Sequence, residues 1–219
     1  PEDAENTVSE IIEISGIEII GIGVNLTCYG GVIPDERNLG QLVEIAEKLE
    51  KRFKLNLQII SGGNSSSIYL LEETLPEKIN HLRVGEAIVL GRETKEGDRI
   101  PETFDDAFIL EAEIIELKEE ESLPKGSIGM DAFGNKPVFI DKGKMLRAIL
   151  AVGRQDVHPG NLIPMDEEIE IIGASSDHMI MDVTSAREKY NVGDIMRFKL
   201  EYGALLSLCT SEYISKDIK

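Results

Sequence analysis

Positive charge is what this chain lacks most. Its 23 lysines and arginines face 41 aspartates and glutamates, a formal charge of −18. Such a chain repels phosphate backbones, which excludes a protein that grips nucleic acid along its length. A small anionic ligand is still allowed, since a few backbone N–H groups and one arginine can hold a phosphate locally. Cysteine is scarce as well: Cys28 and Cys209 lie far apart and form no CxxC. Neither a zinc site nor a disulfide framework is indicated, no other stretch has metal-ligand spacing, and a reduced, cytoplasmic setting is expected. Long apolar runs are missing: Ile17 to Leu26 is interrupted by Glu18, Gly21, Gly23 and Asn25. That is too short to span a bilayer, and no signal peptide is visible. Tryptophan is absent and aromatics make up 5%.

What is present is enough to fold. The 219 residues are 42% hydrophobic, which suits one large or two small domains and excludes a disordered tail. Residues 3–15 read as a helix, with Pro1, Glu2, Asp3 and Glu5 in its first turn and an apolar stripe of Val8, Ile11 and Ile12. Ile17–Asn25 reads as a buried strand and Thr27–Arg37 as a loop. Residues 38–54 give the clearest helix: Asn38 can cap it, and Leu39, Leu42, Val43, Ala46, Leu49 and Phe53 recur at helical spacing. Leu55–Ile60 and Ile79–Leu82 read as two more strands. This strand–loop–helix alternation predicts parallel strands joined by crossover helices.

The second half changes character. Phe108–Leu117, Val138–Ile140, Ala148–Val152, Glu168–Ile172, His178–Val183, Ile195–Leu200 and Leu205–Thr210 read as short strands separated by turn residues such as Phe133-Gly134-Asn135-Lys136. They predict an antiparallel β-domain. The fold class is therefore α/β plus all-β, with a boundary in Gly91–Phe108, giving domains 1–92 and 93–219. Three strand–helix units leave sheet edges and an apolar face uncovered. With an opening of Pro-Glu-Asp-Ala-Glu and no initiator Met, residues 1–92 are expected to be the last part of a larger α/β domain.

Two stretches suggest chemistry. Gly62-Gly63-Asn64-Ser65-Ser66-Ser67 follows a strand and opens a helix, where N–H groups and hydroxyls can cradle a phosphate; a plain N-cap is the alternative. His81-Leu82-Arg83-Val84-Gly85-Glu86 ends the third strand. Arg83 there either points into the mouth of a barrel or is an exposed arginine in a turn, and Gly85 lets backbone approach a ligand. His81 reads as structural. Cys28 reads as a small apolar residue rather than a nucleophile. Ser175-Ser176-Asp177-His178 mimics a catalytic triad, but neighbours on a strand alternate faces, so it is not read as one. Asp131, in Met130-Asp131-Ala132-Phe133-Gly134, reads as a hairpin residue, and Glu116–Glu121 as a solvated strand end.

Together with Gly21-Ile22-Gly23-Val24-Asn25-Leu26-Thr27-Cys28-Tyr29-Gly30-Gly31, Arg147-Ala148-Ile149 and Gly153-Arg154-Gln155-Asp156-Val157, these stretches resemble the pyridoxal-phosphate-dependent alanine racemases, and more closely their ornithine racemase relatives. The likeness covers nearly the whole chain. It implies the C-terminal part of a cofactor-binding (β/α)8 barrel, about strands six to eight, followed by a β-domain (fold type III). The activity implied is racemisation of ornithine or alanine by α-proton exchange between two bases. A non-catalytic pyridoxal-phosphate-binding protein and a decarboxylase of the same fold are the alternatives. By the same likeness, Asn25 lies against the pyridine ring, Arg83 faces its nitrogen, and Ser65, Ser66, Gly85, Glu86 and Tyr213 hold the phosphate. Asp177 stands near the substrate carboxylate. The Schiff-base lysine of such enzymes belongs to the first barrel strand, and no lysine here has that setting, so this chain alone is expected to be inactive. Ser127-Ile128-Gly129 stands where the family has a Tyr-Gly motif, which leaves Asp131 as the nearest candidate for the second base. Glu86 or Asp131 could also favour a cationic substrate. A homodimer with shared sites is the implied assembly, with no nucleic acid, membrane or metal involved.

Overall fold

The computed structural model describes residues 2–72, 74–131 and 133–218. They form two compact units, 1–105 and 106–219. Pro1, read as part of the first turn, lies outside the described residues.

In the first unit, helix α1 (Glu2–Ile11) precedes strand β1 (Gly21–Gly23). Helix α2 (Glu36–Phe53) follows and leads to β2 (Ile59–Ser61), which pairs with β1 in parallel, Gly21 opposite Ile59 and Gly23 opposite Ser61. The cap of α2 is Asp35, not Asn38. Asp35 Oδ1 accepts from the Asn38 N–H at 2.6 Å, and Asn38 Oδ1 accepts from the Asp35 N–H at 2.9 Å. The two side chains close a capping box, with Asn38 in the reciprocal position. The core of this unit is Val8 from α1, Leu42, Ala46 and Leu49 from α2, and Leu57, Ile60 and Ile79 beneath them. The expected buried strand Ile17–Asn25 is reduced to Gly21–Gly23, with Ile17 and Ile20 exposed, and Ile12 of the expected stripe on α1 is exposed as well.

The expected strand Ile79–Leu82 is reduced to a single parallel bridge between Ser61 and His81. The ladder nevertheless continues: the Asn80 N–H donates to Ile60 O, the Gly62 N–H to His81 O and the Arg83 N–H to Gly63 O. The side chain of Asn80 takes over rungs that backbone would otherwise make. It accepts from the Ile60 N–H and donates to Gln58 O. A 3₁₀ turn, Ser65–Leu71, and a short helix α3 (Glu86–Leu90) follow β2 and the bridge respectively.

The second unit is a six-stranded antiparallel sheet. Its strands are β3 (Ile109–Glu121), β4 (Lys144–Leu150), β5 (Leu162–Pro164), β6 (Glu170–Ala174), β7 (Met179–Asp182) and β8 (Ile195–Leu200), in spatial order 5-8-3-4-7-6. Strand β3 runs through the acidic segment Glu116–Glu121. Arg147 on the adjacent strand reaches Glu120 at 2.8 Å and Glu116 at 3.7 Å, and Lys144 reaches Glu119 at 2.8 Å. Ala112, Ile114, Ala148, Leu150, Met181 and Phe198 fill the core face.

Three strand expectations fail here. Val138–Ile140 is irregular, with Val138 and Ile140 exposed, so apolar content there did not create a buried face. Leu205–Thr210 is the end of helix α4 (Tyr202–Thr210). A short apolar run does not separate strand from buried helix, and Ala204, Leu205 and Leu208 are buried at helical spacing. His178, expected to begin a strand, belongs with Ser175–Asp177 to the connection between β6 and β7. It is this turn, rather than alternation along a strand, that governs how the Ser-Ser-Asp-His residues sit.

Candidate functional site

The C-terminal ends of β1 and β2 converge on one side chain. Arg83 Nη2 donates to Val24 O at 2.8 Å, and Nη1 donates to Ser61 Oγ at 2.5 Å. Both acceptors stand at strand ends, so the guanidinium lies across them rather than away from them. Gly23 makes the room. A Cβ there would lie 3.0 Å from Arg83 Nη1 and 3.1 Å from Ser61 Cβ. Ser61 Oγ also meets His81 Nδ1 at 2.9 Å. Arginine can only donate, so the Ser61 hydroxyl accepts from it and has its own proton free for His81.

Beside this network sits the Asn64–Ser67 turn. Asn64 caps it, accepting from the Ser66 N–H at 2.8 Å, so the capping reading of these residues holds. The Asn64 amide also donates to Asn25 Oδ1 and Leu26 O, each at 2.9 Å, which ties the loop after β1 to the turn after β2. Ser67 Oγ donates to Gly62 O at 2.7 Å. Ser65 Oγ accepts from the N–H groups of Gly85 and Ala87 at 3.3 and 3.2 Å. Ser66 is fully buried, yet its hydroxyl has no hydrogen-bond partner. A buried unpaired hydroxyl costs about 1–3 kcal/mol, so this atom asks for a ligand. A Cβ on Gly85 would meet nothing within 4 Å, so the space beside it is open.

The structure thus brings Asn25, Ser65, Ser66, Arg83 and Gly85 into one hydrogen-bonded region of the first unit. Glu86 starts α3, and its carboxylate is spoken for: Arg92 Nε donates to it at 2.8 Å. The expectation that Glu86 attracts a cationic substrate meets this ion pair.

The remaining predicted residues lie in the second unit. Asp131 accepts from the N–H groups of Phe133 and Asn135 and from the Asn135 amide, as a turn residue would. The backbone N–H of Asn135 is the main reason its carboxyl is held below the usual carboxylate range. Arg154 joins two predicted regions. Its guanidinium stacks 4.3 Å from the ring centre of Phe133, and its N–H donates to Ser175 O. Gly153 allows that approach, since a Cβ there would lie 2.2 Å from Ser176 O. The exposed Asp177 is carried by this same turn. Tyr213 is exposed, and its N–H donates to Ser211 Oγ, which in turn donates to the buried Asp156 at 2.7 Å. An open hollow of about 670 Å³, lined in part by Leu123, Phe139, Met145, Ile172 and Arg147, contains none of the predicted residues. Among the described residues no group of three or more His, Cys, Asp or Glu could hold a metal, and no helix is long and apolar enough to cross a membrane.

Sequence reasoning gave no individual role to Ser61, Gly23 or Asp156, and read His81 only as structural. Gly21 and Gly23, alternate residues on one strand, were the signal available. Glycine inside a strand marks close approach of a neighbour, here the Ile59 carbonyl at Gly21 and Arg83 at Gly23.

No family model matches the chain. Among curated proteins it is 55% identical over 218 residues to an ornithine racemase of Acetoanaerobium sticklandii, covering 99% of this chain and 62% of that protein. It is 46% identical over 213 residues to a lysine racemase of Thermotoga maritima, covering 97% of this chain and 60% of that one. Among solved structures it resembles an alanine racemase from Bartonella henselae with covalently bound pyridoxal phosphate. The TM-score is 0.58 at 18% identity, covering 97% of this chain and 56% of that one. A D-threonine aldolase from Filomicrobium marinum also aligns, with a TM-score of 0.57 at 13% identity over 93% of this chain and 51% of its own. Structural likeness at such identities fixes the fold alone, and this fold serves more than one chemistry. The chain is thus a homologue of ornithine racemase and of lysine racemase, spans about three fifths of their length, and carries a portion of the alanine racemase fold.

Proposed function

We propose that this chain is the part of a pyridoxal-phosphate-dependent amino-acid racemase that holds the cofactor's phosphate and faces its ring nitrogen, with ornithine as substrate. The observation that carries the reading is the placement of Arg83 across the ends of β1 and β2, next to the Ser65 turn. The identity with ornithine racemase supports the choice of substrate.

The residues present fit the group. The unpartnered Ser66 hydroxyl and the Ser65 hydroxyl, which accepts from the Gly85 N–H and keeps its own proton, are donors suited to phosphate oxygens, and the resemblance assigns the backbone of Gly85 and Glu86 to the same group. When bound, pyridoxal phosphate supplies an electron sink that acidifies the α-carbon of an amino acid. Arg83 offers a cation that cannot take up a proton, so it favours an unprotonated ring nitrogen. That choice weakens the sink and suits proton exchange over loss of the carboxylate. Asn25, held by Asn64, would flank the ring. The roles of Tyr213 at the phosphate and Asp177 at the substrate carboxylate rest on the resemblance, as do the homodimer and the assignment of domains 1–92 and 93–219 to barrel and β-domain, while the cytoplasmic setting rests on the sparse cysteines. Asp131 is a poor second base, because the N–H groups that stabilise its anion lower its basicity. This chain is assigned contacts to the phosphate and ring, and not the lysine that bears the cofactor.

The test is to incubate the intact protein and pyridoxal phosphate with L-ornithine in deuterated water. D-ornithine carrying deuterium at the α-carbon is the expected product. Release of CO₂, or cofactor absorbance without turnover, would replace the reading by a decarboxylase or a cofactor-binding protein.

A further inference from the structure

We propose that His81 is a positioning residue for Arg83, acting through the Ser61 hydroxyl. The inference rests on the reading of Arg83 given above, and it assigns a task to a side chain whose ring meets Ser61 Oγ.

The guanidinium is gripped from two sides. On one side the acceptor is the Val24 carbonyl, fixed because the Val24 N–H is itself bonded to Ser61 O at 3.1 Å. On the other it is the Ser61 hydroxyl, which rotates about its Cβ–Oγ bond and can aim a lone pair or a proton at Arg83. Only the lone pair holds an arginine. Something must therefore draw the hydroxyl proton away, and His81 Nδ1 stands 2.9 Å from the oxygen. His81 is well placed for this. Its backbone pairs with Ser61 in the parallel bridge, and its carbonyl accepts from the Gly62 N–H at 2.9 Å. Ser61 is only 4% exposed with the imidazole, itself exposed, in place. The relay runs in one direction: Arg83 donates to Ser61, and Ser61 donates to His81. It requires the His81 tautomer with its proton on Nε2 and a bare Nδ1.

A double-mutant cycle in the intact protein tests this. The readouts are the dissociation constant for pyridoxal phosphate and the absorption spectrum of the bound cofactor. Ser61→Ala and His81→Ala should each weaken cofactor binding, on the order of tenfold. The double variant should match Ser61→Ala alone, because a relay without its middle member has no use for its end. His81→Asn, whose Oδ1 can stand in for Nδ1, should restore affinity and spectrum. Additive losses, or a His81→Ala protein that binds like wild type while Ser61→Ala does not, would overturn the relay. The ring ¹⁵N shifts of His81 in the cofactor-free protein give a separate reading. A proton on Nε2 supports the proposal and a proton on Nδ1 refutes it. A wild-type protein that neither binds pyridoxal phosphate nor racemises would bring down the function proposed above, while the tautomer measurement would still decide the relay.

Discussion

Two glycine-to-alanine substitutions should move stability in opposite directions. Gly23→Ala puts a methyl group 3.0 Å from Arg83 Nη1, 3.1 Å from Ser61 Cβ and 3.3 Å from Ser61 O. The first neighbour is the end of a flexible side chain and can swing away. The other two belong to the adjacent strand, which the Gly23–Ser61 pairing and the Val24–Ser61 hydrogen bond hold in register. Relief therefore means either prising β1 from β2 or displacing Arg83. Overpacking of this kind costs about 1–3 kcal/mol. Gly40→Ala places the same methyl within α2, with nothing inside 4 Å. There it removes only glycine's excess chain entropy and stabilises by roughly 0.5–1 kcal/mol. For a protein of this size each kcal/mol is worth about 2–4 °C of melting midpoint. Thermal melts followed by circular dichroism should show Gly23→Ala several degrees below wild type and Gly40→Ala one to four degrees above it, roughly. Gly23→Ala should also bind pyridoxal phosphate more weakly, and Gly40→Ala as wild type does. A Gly23→Ala protein that melts and binds like wild type would refute the account of why this strand carries glycine.

Further outcomes follow from the same contacts. Asp35→Ala opens the capping box of α2 and should cost about 1 kcal/mol in urea denaturation, with Asp35→Ser recovering most of it. Glu93 is buried, which pushes its carboxyl up, but the N–H groups of Asp98, Glu96, Lys95 and Gly97 outweigh that and hold it below its ordinary 4.5. A depressed folded value means stability that is complete above about 4.5 and drains away as pH falls through the lower, folded value. The protection of amides 95–98, measured against their intrinsic exchange rates, should therefore fall only below that pH, and Glu93→Gln should remove this fall. Asp156→Ala leaves Ser211 without its acceptor, so exchange at the Tyr213 amide should speed up while the β-sheet core keeps its protection.

The two-part architecture was legible because its signals were periodic. Helix α2 shows Leu39, Leu42, Ala46 and Leu49 at helical spacing, and all four are buried. Strand β8 alternates, with Met196, Phe198 and Leu200 inward. What was illegible depended on contacts far apart in sequence. Nothing local in Leu205–Thr210 reveals that it is a helix. Its identity comes from burial of Ala204, Leu205 and Leu208, and from Gly203 fitting against the Asn161 side chain. Likewise Asp35 outranked Asn38 as the cap through a reciprocal bond that a one-way reading of caps overlooks. In the candidate site, Arg83 and the Ser65 turn stood out by residue type and position after strands. Ser61 and His81 did not, because a serine at a strand end gains meaning only when an arginine 22 positions later reaches back to it.

The most direct test of the whole account is the protonation state of the cofactor's ring nitrogen in the intact protein, read by ¹⁵N NMR with ring-labelled pyridoxal phosphate. On the proposed placement of Arg83, the nitrogen should carry no proton at neutral pH, and Arg83→Glu, which substitutes an anion that favours the protonated ring, should shift the signal to the protonated form. A ring nitrogen already protonated in the wild-type protein, unmoved by the substitution, would contradict the placement of Arg83 on which the proposed function depends.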